Sequence, residues 1–321
     1  MATAEQIKAL IRTHLNDNSD QFITVALQVA AHEARQGHTE MAHEIRQIVD
    51  KARLRPNVIA KFPNELNGLI YTEEPQIPLS ALVLSEDLKD RIDRILLEYR
   101  QQNKLKSHGL RHRRKILLTG APGTGKTMTA KVLATELKQP LHLVQIDRLV
   151  TKFMGETSAK LRQIFDMMRI VPGVYLFDEF DAIGSERSLE NDVGEMRRVL
   201  TSFLQFIEND NSDNLIIAAT NNLQLLDRAL FRRFDDVLNY ELPEEKERAQ
   251  LIANLLGTFI DNRFPISKAV NAASGLSHAE IDRACMDAMK AAVITNKNRV
   301  TIDNLIKLLT ERHTAYQGGE G

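Results

Sequence analysis

The chain is short of cysteine, of net charge and of long apolar runs, and each shortage removes a class of function. Cys285 is the only cysteine in 321 residues, which excludes an intrachain disulfide framework and permits a reducing compartment. Lys plus Arg number 42 against 43 Asp plus Glu, so no global field draws the protein to nucleic acid or to an anionic membrane. No segment reaches about eighteen consecutive apolar residues, and the amino terminus, Met1-Ala-Thr-Ala-Glu-Gln-Ile-Lys8, lacks a signal-peptide core. The expected location is cytoplasmic. Protease signatures are missing too: there is no His-Glu-x-x-His and no Gly-x-Ser-x-Gly. His32-Glu33 is followed by His38, a spacing that fails the zinc-helix pattern, and His43-Glu44 fails it as well. These histidines read as solvated helix residues rather than a metal site.

What is present is a phosphate cradle. Gly120-Ala121-Pro122-Gly123-Thr124-Gly125-Lys126-Thr127 fits G-x-x-x-x-G-K-[ST] without a mismatch. Its glycines let backbone N–H groups turn onto phosphate oxygens, Lys126 reaches the β and γ phosphates, and the Thr127 hydroxyl is a Mg²⁺ ligand. A buried strand is expected at 115–119 before it, and helical periodicity runs from Met128 to Leu137 after it. Met128 opens that helix and belongs to the same binding segment. The implied cofactors are ATP and Mg²⁺.

Two further strand ends carry polar groups. Val174-Tyr-Leu-Phe177 delivers Asp178 and Glu179, which divide the labour. Asp178 suits the Mg²⁺ shell opposite Thr127, and Glu179 suits orienting or deprotonating a water for attack on the γ-phosphate. Leu215-Ile-Ile-Ala-Ala-Thr-Asn221 ends in Asn221, which can hydrogen-bond the water and the γ-phosphate. With 141–146 and 237–242, these runs make five expected strands alternating with helices, the pattern of a parallel sheet in an α/β fold. Open sheets of that kind bind ligands at the carboxyl ends of their strands.

Organisation follows from the same periodicities. Residues 1–54 read as a helical docking domain and 55–80, with Pro56, Pro63, Pro75 and Pro78, as a linker. The α/β nucleotide-binding domain is expected at 81–243, an all-helical lid at 244–316 and a flexible tail at 317–321. Ser277-His-Ala-Glu280 supplies a capping box for the longest lid helix.

Phosphate loop, acidic strand end, Ala-Thr-Asn segment and Leu226-Asp-Arg-Ala-Leu-Phe-Arg232-Arg233-Phe-Asp235 occur in that order. On these motifs the chain resembles the AAA ATPase family over roughly residues 80–314. The compact Phe-Arg-Arg-Phe segment is similar to that of the spastin and katanin type. The resemblance implies a P-loop NTPase fold, with a five-stranded parallel sheet flanked by helices, a C-terminal all-α lid and an N-terminal helical domain. It implies ATP hydrolysis in a homo-oligomeric ring, usually of six subunits, in which Arg232 and Arg233 reach the ATP of the neighbour. Gly275-Leu-Ser-His-Ala279 stands where the family has Gly-Phe-Ser-Gly-Ala, so His278 replaces a glycine near the nucleotide.

Lys152-Phe153-Met154-Gly155-Glu156-Thr157 resembles the family's pore loop, with Phe153, Met154 and Gly155 gripping an extended polypeptide. The alternative places Phe153 in the core under the following helix. Arg111-His-Arg-Arg-Lys115 reads as a solvated segment leading into the first strand sooner than as a nucleic-acid patch. Three functions follow: a protein unfoldase or remodeller, a regulatory ring controlling a separate partner, and a nucleic-acid motor. The partner could be a serine protease, because small ATPases of this look occur in bacterial plasmid-maintenance or phage-defence pairs. Residues 1–54 resemble in layout the microtubule-interacting and trafficking domains that precede spastin-type ATPases, which suits docking of a partner or substrate. No membrane insertion is expected.

Overall fold

Continuous apolar runs at Lys115–Gly120, Val174–Asp178 and Leu215–Thr220 bury both faces of their strands, and this places them at the centre of a sheet. The computed structural model describes residues 8, 19–54, 62, 63, 66, 68–152, 156–180, 192–222, 231–261, 263–295 and 299–317. Its chain divides into two units, Met1–Lys61 and Phe62–Gly321.

In the first unit α1 (Ser19–Arg35) and α2 (Thr39–Leu54) form a helical hairpin around Gly37, whose φ of +89° suits the turn. Ala26, Val29, Ala30, Ala42 and Val49 are its buried apolar residues, and small side chains let the two helices approach closely. Buried Glu33 meets His38 Nδ1 at 2.6 Å across the turn. Ahead of α1 only Lys8 is described, and it is helical.

In the second unit six strands pair in the order β1-β3-β4-β5-β2-β6. They are β1 (Ile70–Glu73), β2 (Lys115–Gly120), β3 (Leu141–Gln145), β4 (Val174–Asp178), β5 (Leu215–Thr220) and β6 (Asp236–Tyr240). The five expected strands are present and mutually parallel. The sixth, β1, comes from the proline-bearing stretch and adds antiparallel to β3, with Ile70 opposite Val144 and Glu73 opposite Leu141. Four residues flanked by prolines give too short a period to read, yet an edge strand tolerates such neighbours.

Alternation along the strands sorts the core onto two faces. Leu117, Tyr175, Phe177, Ile216 and Ala218 join α6 (Ile146–Lys152), α7 (Thr157–Met168) and α8 (Asp192–Asn209) on one side. There Phe177 stacks with Phe165 at 5.6 Å and meets Phe203 edge-on at 5.0 Å. Ile116, Leu118, Leu176, Ile217 and Ala219 face α3 (Glu86–Arg100) and α5 (Lys126–Leu137) on the other. Between them the short α4 (Gln102–Ser107) leads toward β2.

After Pro243 four helices, α9 (Glu245–Leu256), α10 (Ile266–Ala272), α11 (His278–Ile294) and α12 (Ile302–Gln317), enclose a separate core around Ile252, Ala269, Ile281 and Leu305. Val83, just ahead of α3, is buried in that same cluster. The expected capping box forms: Glu280 N–H donates to Ser277 Oγ at 3.4 Å, and Ser277 N–H donates to Glu280 Oε2 at 2.7 Å. No helix among the described residues is long and apolar enough to cross a membrane.

Three histidines are expected to make the fold sensitive to acid. His142 is held between the Thr72 hydroxyl at 2.9 Å and the Pro172 carbonyl at 3.3 Å, His112 lies edge-on to Tyr99, and His278 is half-buried at the start of α11. Burial pushes all three below the ordinary imidazole value of 6.5. The folded protein therefore favours neutral rings, and below pH 6.5 the unfolded chain binds more protons. Stability is expected to be fully present above that value and to fall on acidification, by up to about 1.4 kcal/mol per pH unit for each ring within its window. Urea midpoints at pH 7.5 and about pH 5.5 check this; equal midpoints would contradict it.

Candidate nucleotide site

The phosphate loop leaves the carboxyl end of β2 as the sequence requires, and Gly120 shows why no side chain is tolerated at its start. A Cβ there would lie 2.0 Å from the Tyr240 carbonyl oxygen, at a φ of +139°. Ala121, Pro122 and Gly123 are exposed, while Thr124 is buried and donates its hydroxyl to the Ala121 carbonyl at 2.8 Å. Gly125, at φ +104°, caps α5. The loop thus opens directly onto the first turn of a helix, whose N–H groups and dipole favour an anion.

Lys126 and Thr127 open that helix. Lys126 is buried, and its Nζ donates to the carbonyls of Gly120 at 2.7 Å and Ala121 at 2.8 Å, so the ammonium sits folded against the loop it serves. Thr127 donates its hydroxyl to Asp178 Oδ2 at 2.8 Å. Met128 follows, exposed.

Asp178 and Glu179 stand at the carboxyl end of β4, separated from β2 only by β5. Asp178 is bound on both oxygens, since Oδ1 accepts the Glu179 N–H at 3.0 Å while Oδ2 holds Thr127. Glu179 is exposed and has φ +53°, one of two non-glycine residues with positive φ among those described. Such a conformation costs about 1–3 kcal/mol and persists only where the surroundings impose it. Asn221 follows β5 directly and is exposed, between the ends of β4 and β2. Lys126, Thr127, Asp178, Glu179 and Asn221 therefore share one end of the sheet.

The donor set fits a small hard cation. Thr127 and Asp178 offer two converging oxygens, few enough for Mg²⁺, which keeps waters and takes phosphate oxygens for the rest of its shell.

Arg232 and Arg233 are at the other end. They precede β6, which runs parallel to β2 with Asp236 beside Ile116 and Tyr240 beside Gly120. Five residues of strand, at about 3.3 Å each, stand between them and the loop of their own chain. That span exceeds the reach of an arginine side chain. Arg233 Nε donates to Glu208 at 3.2 Å; Arg232 is exposed and forms no ion pair among the described residues. Phe153, Met154 and Gly155 lie outside the described residues.

The basic run before β2 is engaged within the chain. Arg113 pairs with Glu98, Arg114 with Asp210 in a buried pair, Arg111 donates to Asn211 at 3.1 Å, and Lys115 Nζ donates to the Glu208 carbonyl at 3.4 Å. Removing one member of a buried pair costs about 3–5 kcal/mol, so Arg114 serves the fold.

Two contacts to the loop escaped the sequence. Ala279 N–H donates to the Gly123 carbonyl at 3.0 Å, and a Cβ on Gly123 would come within 2.7 Å of Ser277 Oγ, so the lid rests on the loop. Gly275-Leu-Ser-His-Ala279 pointed to that region but not to the bond. Tyr240 lies against Gly120 and donates its hydroxyl to Thr129 at 2.8 Å, with no motif to announce it.

The model of the ATPase family associated with various cellular activities (AAA) matches residues 116–242, which span from β2 to just beyond β6. The chain is 34% identical over 314 residues to a protein of Sinorhizobium fredii named uncharacterized AAA family ATPase y4kL, covering 94% of this chain and 92% of that one. It is 34% identical over 205 residues to a putative 26S proteasome regulatory subunit homolog of Methanothermobacter thermautotrophicus, covering 62% of this chain and 55% of that one. It is 32% identical over 270 residues to a proteasome-activating nucleotidase of Saccharolobus islandicus, covering 79% of this chain and 68% of that one.

Proposed function

Because the chain belongs to the AAA family of ATPases and is an ATP hydrolase, we propose that it works as a ring that spends ATP on pulling or remodelling a polypeptide. The observation that carries the ring is the polarity of the site. Lys126, Asp178, Glu179 and Asn221 gather at the carboxyl ends of the strands while Arg232 and Arg233 stand at the amino end of β6. Arginines so placed serve the ATP of a neighbouring copy. Six subunits are the family's usual number, and on this reading a second copy of the chain is the first partner.

Within one subunit residues 120–128 hold the phosphates. Lys126 transfers its bonds from the Gly120 and Ala121 carbonyls to the β and γ phosphates. Glu179 orients or deprotonates the attacking water, and Asn221 fixes that water against the γ-phosphate. Thr127 and Asp178 would hold Mg²⁺, which would supply neutralisation of the phosphate charge.

The polypeptide substrate rests on Phe153, Met154 and Gly155 and on the names of the relatives, two of which refer to the proteasome. Phe153→Ala is expected to leave ATP turnover within about two-fold and to abolish unfolding of a fluorescent model substrate, as an aromatic grip is lost without touching the phosphates. Preserved unfolding would remove the pore reading. The same names favour a second reading, a ring that controls a separate protease, and a serine protease is the candidate partner. A nucleic-acid motor is disfavoured because Arg111, Arg113 and Arg114 are already engaged. The N-terminal helical hairpin serves as a docking module in either case. Pull-down with Glu179→Gln in ATP, followed by identification of what is retained, tests substrate and partner together.

A further inference from the structure

The loop that carries Lys126 is bracketed by a single residue outside it. Tyr240 ends β6, and its backbone carbonyl fills the space where a Gly120 side chain would stand. Its hydroxyl reaches the other end of the loop, donating at 2.8 Å to Thr129, whose own hydroxyl donates at 3.1 Å to the Gly125 carbonyl. The Thr129 N–H donates to that same carbonyl at 2.9 Å. One hydroxyl hydrogen is thus accounted for at each step from Tyr240 through Thr129 to Gly125. Thr129 is fully buried and Tyr240 is 2% exposed, so no water replaces a bond removed from this relay. Burial also raises the Tyr240 phenol well above its ordinary value, which keeps it a donor.

Four residues later the chain enters the lid. Arg248 of α9 donates to the Pro243 carbonyl at 2.7 Å and to the Val270 carbonyl at 3.0 Å, which fixes the lid's start to the link that leaves Tyr240. We propose that Tyr240 is a positioning residue for ATP binding: through Thr129 it sets the spacing between Gly120 and Gly125, and so the place from which Lys126 meets the phosphates, and it ties that spacing to the lid link. Lys126 must leave the Gly120 and Ala121 carbonyls when phosphates arrive. The relay holds the loop's outline while it does so.

The proposal rests on residues 120–127 being the phosphate site. The test measures, in the full chain, affinity for a fluorescent ADP analogue together with KM and kcat for ATP, in Tyr240→Phe, Thr129→Val, their combination and Thr129→Ser. Tyr240→Phe keeps the ring and is expected to weaken binding and raise KM about 3- to 10-fold, with kcat within two-fold. Thr129→Val should do the same, the pair should be no worse than the weaker single variant, and Thr129→Ser should restore binding. Wild-type affinity and KM in Tyr240→Phe, with only a lower Tm, would overturn the proposal in favour of a packing role. So would additive losses in the double variant, or a fall in kcat alone. Lys126→Ala is run alongside: if it keeps its affinity the phosphate-site reading itself fails, whereas its loss beside an unaffected Tyr240→Phe sinks only the role of Tyr240.

Discussion

Replacing Glu179 by glutamine is expected to cut ATP turnover by about 10²- to 10⁴-fold while leaving ATP bound. The amide keeps the volume and the backbone conformation but cannot take a proton from water. Nothing in the phosphate loop is disturbed, because the only described bond of Glu179 is its N–H to Asp178 Oδ1. Single-turnover hydrolysis and nucleotide binding, measured separately, check the two halves; normal turnover would remove Glu179 from its role. A companion variant separates chemistry from strain. Glu179→Gly should be equally inactive, yet should recover part of the about 1–3 kcal/mol held in a positive φ, visible as a higher urea midpoint than that of Glu179→Gln.

Arg232→Ala is expected to lower turnover by about 10³-fold or more, the scale of an arginine that stabilises transferring phosphoryl charge. Arg233→Ala should cost less, since Arg233 already spends its guanidinium on Glu208. The decisive measurement is a mixture. Arg232→Ala subunits keep an intact loop and Lys126→Ala subunits keep an intact arginine, so mixing two inactive proteins should restore part of the turnover where one donates an arginine to the other's ATP. Absence of any recovery at all mixing ratios would mean that the arginine acts inside its own chain. The five-residue strand between Arg233 and the loop argues against that.

Legibility in the sequence followed the range of the interactions. The phosphate loop, Asp178, Glu179 and Asn221 were readable because each sits at, or starts from, the carboxyl end of a buried strand, so a local apolar run fixes its place. The capping box at Ser277 was readable for the same reason, being a bond between residues three apart. Strand β1 was hidden by its length, and its partner β3 lies about seventy positions further on. Tyr240 and Thr129 are 111 positions apart, and each alone looks like an ordinary buried residue of a strand and a helix. The rest of Ser277 to Ala279 belongs in between: the segment could be located, but its bond to Gly123 depends on how the lid folds back over the loop.

In the ring proposed above, the opposed placement of Arg232 and Lys126 along one sheet also ties the number of complete sites to closure. A two-fold pair completes both of its sites at once, because residue i of each copy meets residue j of the other, whereas a ring of more than two copies makes every contact head-to-tail. A head-to-tail contact leaves one unmatched loop at one end and one unmatched arginine patch at the other until the last copy returns to the first. An open row therefore always contains one fewer complete site than it has members. Closure adds a site without adding a subunit, and specific activity should climb steeply, not in proportion, as dilute protein is concentrated through the point where rows close.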